Sequence, residues 1–352
     1  MMSDSNLPNV TIAIPAFNEE AFIEDTIKIF QQSAYPNIIE ILIADGRSTD
    51  RTAAIVRRIS EADPRVKLVD NPDKIQSAGL NRLIAQAKGE LFLRADAHCE
   101  YAADYVEASV QAHHESGALN VGGPQRFVAR NNVQAYIANA VDNIFGSGGA
   151  RYRDKEYTGF ADTVFLGCYR TDVLKRLKGY LVDNVTNEDA ELNIRLEKEQ
   201  RNAVYISPDI RVWYYPRGDF LSLFKQYVRY GKGRCLTVFR HSAAMSFRGS
   251  TPFLTIFTLL IILITLLLSG HVLFSAGLAA AILLIVFTTV IQTVTKNRKR
   301  INSEIWRGPP GQAPGWLKQV FGTFFVIVTI NLAHFLGYGW QILRFLAGKK
   351  SW

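Results

Sequence analysis

Continuous apolar runs separated by amphipathic stretches organise the first third of the chain. Val10 to Ile14 and Ile38 to Ala44 do not alternate with polar residues, which is the pattern of strands buried on both faces of a parallel sheet. Between and after them, Glu20 to Ser33 spaces Phe22, Ile23, Ile27 and Phe30 at helical intervals, and Asp50 to Glu61 does the same with Ala53, Ile55, Val56 and Ile59. The spacing then predicts a strand over Val66 to Val69, a helix over Gln76 to Ala87, a strand over Leu91 to Ala95, a helix over Tyr101 to Ser116 and a strand over Leu119 to Gly123. Such alternation implies an α/β fold with a mostly parallel, doubly wound, Rossmann-like sheet. Beyond Gly123 it gives way to Gly-rich loops and shorter elements.

The pattern changes again near residue 250. Residues 252–269 and 272–294 contain no charge, and at 1.5 Å per helical residue a span of about 20 residues crosses a hydrocarbon core of about 30 Å. The link Ser269-Gly270-His271 is too short to hold a domain, so the two spans form a hairpin. A third run, 320–343, is long enough but carries Asn331, His334 and Gln341. These features divide the chain into residues 1–245, with a nucleotide-binding half at about 8–123 and an acceptor half at about 124–245, and a membrane region at 246–352.

Charge orients the hairpin. Arg240 and Arg248 precede it, and Lys296, Arg298, Lys299, Arg300, Arg307 and Lys318 follow, so both flanks face the cytoplasm by the positive-inside rule. A third full crossing puts Lys349 and Lys350 outside, mildly against that rule; a re-entrant or interfacial segment is the alternative. The first apolar run is too short for a signal h-region and ends in a turn, so the catalytic part is expected to stay in the cytosol. The net charge of +8 and pI of 9.3 do not indicate nucleic acid, because the excess gathers near the spans, where it suits anionic lipid or pyrophosphate. Cys99, Cys168 and Cys235 are odd in number and lack paired spacing, which indicates neither a disulfide framework nor a zinc site.

Polar motifs follow the apolar runs. Pro15-Ala16-Phe17-Asn18-Glu19 and Asp45-Gly46-Arg47-Ser48-Thr49-Asp50 close the first two strands, where open α/β sheets bind ligands. Asp45 at a strand end suits base or ribose recognition, whereas Asp50 suits a helix start better than a ligand contact. Asn18 and Glu19 are equally consistent with an ordinary helix start and with nucleotide contact. Asp96-Ala97-His98 follows the strand that ends near Ala95, and an Asp oxygen beside an imidazole nitrogen suits Mn²⁺, with Mg²⁺ as the alternative. Thr186-Asn187-Glu188-Asp189 opens a helical pattern, so a carboxylate there is either a cap or a base. Gly122-Gly123 and Gly167-Cys168 are expected to let backbone approach the sugar and the acceptor.

Taken in order, these motifs resemble the inverting glycosyltransferases of family 2, whose fold is called GT-A. Asn187-Glu188-Asp189 resembles the Glu-Asp that supplies the base, and Gln226-Tyr227-Val228-Arg229-Tyr230 resembles Gln-x-x-Arg-Trp, over roughly residues 10–240. His98 stands where the family's Asp-x-Asp has its second Asp, Ile75 where a glycine is common, and Leu80 where an arginine is common. The variant and the C-terminal spans look closest to bacterial exopolysaccharide glucosyltransferases of the succinoglycan type. The resemblance implies donor contacts at Pro15, Asn18, Glu19, Asp45, Lys74, Asn81, Asp96, Gln226 and Arg229, metal ligands at Asp96 and His98, and a catalytic base at Asp189. It further implies transfer of a sugar, glucose first, from a UDP-sugar to a lipid-linked glycan on polyprenyl diphosphate, at the cytoplasmic side of a bacterial inner membrane. Membrane lipids and other polysaccharide-assembly proteins are the further partners. The rivals are a processive or polyprenyl-phosphate sugar synthase and a nonenzymatic nucleotide-sugar-binding subunit.

Overall fold

Both apolar runs at the N-terminus are strands, and every residue from Val10 to Ile14 except Thr11 offers the core a hydrophobic side chain that solvent does not reach. The structure, a computed structural model, describes residues 7–147, 149–183, 186–241 and 250–348; Arg248, Lys349 and Lys350, which enter the charge pattern, lie outside them. Its chain divides into two compact units, Met1–Arg126 with Asp154–Tyr214, and Phe127–Arg153 with Tyr215–Trp352.

The first unit runs β1 (Val10–Ala16), α1 (Ile23–Gln31), β2 (Ile38–Asp45), α2 (Thr52–Ala62), β3 (Val66–Asp70), α3 (Gln76–Gln86), β4 (Leu91–Arg94), β5 (Cys99–Tyr101), α4 (Tyr105–Ser116) and β6 (Asn120–Gly123), with β7 (Arg126–Phe127) at its edge. The second unit takes α5 (Asn132–Val141) and α6 (Ile144–Ser147). The chain then returns to the first for β8 (Gly159–Phe160), β9 (Phe165–Arg170), α7 (Thr171–Arg176), α8 (Glu188–Glu199), β10 (Val204–Ile206) and β11 (Val212–Tyr214). The main sheet orders β3-β2-β1-β4-β9-β6-β10-β8. Its first four strands are parallel, as the alternation predicts, while β9 runs antiparallel to both β4 and β6, and β8 antiparallel to β10. The sheet is therefore mixed at the half where the alternation stops.

Two expectations change. Tyr101 does not begin a helix; it ends β5, opposite Val212 of β11, and α4 starts at Tyr105. At the glycine pairs the protein's own packing leaves no room for a side chain. A Cβ on Gly123 would stand 2.0 Å from the Ile210 carbonyl oxygen, and Gly167, at φ +139°, has no room beside the Tyr169 ring. Finally, the units do not follow the change of composition near residue 245. Composition detects absence of charge, whereas α5 and α9 (Phe220–Arg240) are amphipathic and pack on the C-terminal helices.

Those helices are α10 (Thr251–Leu268), α11 (Val272–Lys296) and α12 (Trp316–Leu346), all long and apolar enough to cross a membrane. Of the most apolar stretch, 6% is buried in α10 and 11% in α11, against 39% in α12. The hairpin thus presents apolar surface nearly all round, which in lipid carries no cost, while α12 has a protein-covered side. That side explains two of its polar residues. Gln319 accepts a hydrogen bond from Asn139 of α5, and Asn331 donates to the Phe145 carbonyl of α6. At 31 residues α12 is about 46 Å long, more than a hydrocarbon core requires.

Two glycines set how α9 meets α12. A Cβ on Gly231 would lie 2.2 Å from the His334 carbonyl oxygen, and one on Gly337 would lie 2.1 Å from that of Val228. The two backbones touch directly, as small residues permit between helices in membranes.

Candidate active site

The parallel register brings the ends of β1 and β2 side by side, Pro15 opposite Ala44 and Ala16 opposite Asp45. Asp45 is buried, and its carboxylate accepts hydrogen bonds from the Ser48 backbone N–H (3.2 Å) and hydroxyl (2.5 Å). Ser48 Oγ in turn accepts from the Asn18 N–H (2.9 Å), while Asn18 Oδ1 accepts from the Thr49 N–H (2.8 Å). Asn18 and Arg47 both adopt positive φ, near 56°, a conformation an Asn tolerates better than most residues. These bonds lace the two loops together and hold Asp45 in one orientation. Asp50 accepts from the backbone N–H groups of Thr52 (2.9 Å) and Glu20 (3.1 Å), which makes it the brace of the α2 start.

Beside β1, β4 ends on Arg94, and only 5% of that side chain is exposed. Its guanidinium gathers three carboxylates: Nε donates to Asp96 (3.3 Å), Nη1 donates to Asp189 (2.5 Å), and Glu188 lies 3.8 Å from Nη1. The metal-motif aspartate and the candidate base, 93 positions apart in the chain, thus share one cation. The Tyr101 hydroxyl fixes the start of the motif, accepting from the Asp96 N–H (2.7 Å) and donating to the Asp96 carbonyl (2.8 Å). Arg94 and Tyr101 are functional candidates that motif reading misses. Arg94 has a signal in the sequence, since a charge closing the buried run Leu91-Phe92-Leu93 requires a partner; Tyr101 has none.

Glu188 and Asp189 open α8, and their surroundings separate them. Burial pushes the Glu188 carboxyl up to about 8, with the Asp189 charge adding and Arg94 opposing. Burial also raises Asp189, but Arg94 opposes this and about a third of the side chain (35%) meets solvent. Asp189 is the more open carboxylate, and its bond to a guanidinium favours the ionised form.

His98 Nδ1 lies 3.0 Å from Glu19 Oε1. A carboxylate on one ring nitrogen is the usual support of an imidazole that ligates a metal through the other. Among the described residues no group of three His, Cys, Asp or Glu could hold a metal by itself. Two protein ligands fit a divalent cation that completes its shell with diphosphate oxygens and water, so Asp96 and His98 suit Mn²⁺ or Mg²⁺.

Lys74 sits exposed in a turn at φ 58°. The Asn81 amide is clasped to the Tyr180 backbone, accepting from its N–H (2.7 Å) and donating to its carbonyl (2.8 Å), an engagement that braces α3. Gln226 and Arg229 belong to the second unit, on α9; Gln226 donates to the Tyr230 hydroxyl (3.0 Å), and Arg229 is exposed.

Residues 11–177 match the family described as glycosyl transferase family 2. The chain is 35% identical over 255 residues to the succinoglycan biosynthesis protein ExoA of Rhizobium meliloti, covering 71% of this chain and 77% of that one. It is 29% identical over 268 residues to the dolichyl N-acetyl-alpha-D-glucosaminyl phosphate 3-beta-D-2,3-diacetamido-2,3-dideoxy-beta-D-glucuronosyltransferase of Methanococcus voltae, covering 74% and 82%. Among solved structures, the mannosyltransferase PcManGT of Pyrobaculum calidifontis, in complex with GDP-Man and Mn²⁺, superposes with a TM-score of 0.58 at 17% identity, covering 96% of this chain and 88% of that one. At that identity the likeness is one of fold.

Proposed function

The chain belongs to glycosyl transferase family 2, and from that premise we propose that it transfers a hexose, glucose first, from a UDP-sugar to a lipid-linked glycan with inversion at the anomeric carbon. The observation that carries this reading is the Arg94 cluster, which joins Asp96 of the metal motif to Asp189 through one guanidinium. In the proposed reaction Asp189 accepts the proton of an acceptor hydroxyl while that oxygen attacks the anomeric carbon from the face opposite the departing diphosphate. Arg94 keeps Asp189 ionised and oriented. Asp45 recognises the base or ribose, and the bracing by Ser48 and Asn18 means that it is oriented before the donor arrives. Asp96 and His98 would hold a divalent cation, which offsets negative charge on the leaving diphosphate. On α9, Arg229 supplies a fork suited to phosphate oxygens.

A lipid-linked acceptor accords with the name of the Methanococcus relative and with the three apolar helices. The test is a donor screen on the purified chain with membrane lipid extract. UDP-glucose should yield a β-linked product from its α-linked donor, and chelation should stop transfer. Product retaining the α configuration would overturn the inverting reading, and efficient use of GDP-mannose alone would overturn the donor.

We also propose that the hairpin turn at Gly270 faces outside and the 296–318 segment the cytoplasm, where nucleotide sugars are made. A cysteine at Gly270 should react with an impermeant thiol reagent in intact cells, and one at Asn302 should not. The opposite pattern would reverse the topology.

A further inference from the structure

Arg153, in the short turn Arg151–Arg153 of the second unit, has no carboxylate partner among the described residues. Its guanidinium carbon stands 4.8 Å from the Phe127 ring centroid and 4.7 Å from that of Tyr152. Nε and Nη1 are shut off from solvent and meet no hydrogen-bond acceptor. Tyr227 and Tyr230 of α9, rings 5.3 Å apart, are near enough to act on its charge. Arg94, by contrast, meets carboxylates, and Arg195 meets Glu191 and two backbone carbonyls.

Ring faces attract a cation but accept no hydrogen bond in the plane of the guanidinium, where its five N–H groups point. A guanidinium so placed retains the fork geometry that matches two phosphate oxygens. We propose that Arg153 is an anion-binding residue for a diphosphate, that of the lipid-linked acceptor, which displaces a packing ring and satisfies the orphaned N–H groups. The aromatic setting suits this ligand, since apolar rings accept the first isoprene units of a polyprenyl chain beside its phosphates. The assignment of lipid as the source rests on the proposed acceptor class; the anion site itself does not.

The experiment measures binding, not transfer, so the outcome is independent of whether the hexose reading holds. Full-length chain in nanodiscs is titrated with polyprenyl diphosphate and, separately, with UDP, for wild type, Arg153→Gln and Arg153→Lys. Arg153→Gln should weaken polyprenyl diphosphate by roughly tenfold, the size of one charge-assisted hydrogen bond, with UDP affinity unchanged. Arg153→Lys, which keeps the charge and loses the fork, should fall between, a graded response that a merely structural role would not give. A loss confined to UDP keeps the anion site and assigns it to the leaving diphosphate. Should Arg153→Gln fail to fold, the Lys variant decides. Unchanged affinity for both ligands in a folded variant overturns the proposal.

Discussion

Arg94 in the first unit is ringed by Asp96, Glu188 and Asp189, whereas Arg153 in the second faces the rings of Phe127 and Tyr152. In the first, charge is compensated within the fold, and the guanidinium acts as a fixed part that positions other groups. In the second, compensation is incomplete: a cation–π contact contributes up to about 2 kcal/mol, while removing an ion from water costs several. A cation met by carboxylates is complete within the fold, whereas one met by rings can take a ligand that brings its own anion.

The contrast is sharpest at Asp189. Asp189→Asn should lower transfer by about 10²–10⁴-fold, the usual contribution of a positioned base, with UDP affinity within a few-fold of wild type. Initial rates beside a UDP titration check this; transfer above about a tenth of wild type would remove Asp189 from the base role. Next in size is Arg94→Met, which leaves Asp189 and Asp96 buried beside one another without their cation. A stability loss of about 3–5 kcal/mol is expected in denaturant unfolding. A loss below about 1 kcal/mol would mean that the cluster is no more than a surface ion pair and would erase the difference between the units. Smallest is Gly337→Val, which forces side-chain atoms against the Val228 carbonyl and should cost about 1–3 kcal/mol or displace α9. Gly277→Val, where no atom lies within 4 Å, is the control and should be silent in the same thermal melts.

The two units were not equally legible. Strands β1, β2 and β4 announce themselves because burial on both faces demands unbroken apolar runs, and residues at their ends inherit a position from the sheet. Asp50 behaves as turn chemistry requires. By contrast, the Arg94–Asp189 bond joins residues 95 apart in sequence, and no local pattern encodes it. The Asn81–Tyr180 bond is equally hidden, because Tyr180 comes within reach only after folding. In the second unit, hydropathy finds α10 and α11 but is blind to the side of α12 that meets protein, since the residues of that side, among them Gly322, Gly337 and Gln341, are neither charged nor continuous.

The contact of Gly231 and Gly337 bears on how α9 can move. Most helix pairs slide on a cushion of side chains that change rotamer as the helices shift. Here the cushion is missing at two points, so α9 and α12 turn and rise as one beam. Gln226 and Arg229, rooted on α9 within two turns of Gly231, are carried on a member whose other half is an apolar helix about 46 Å long. A side chain added at either glycine therefore presses on backbone and not on a neighbour that can turn aside.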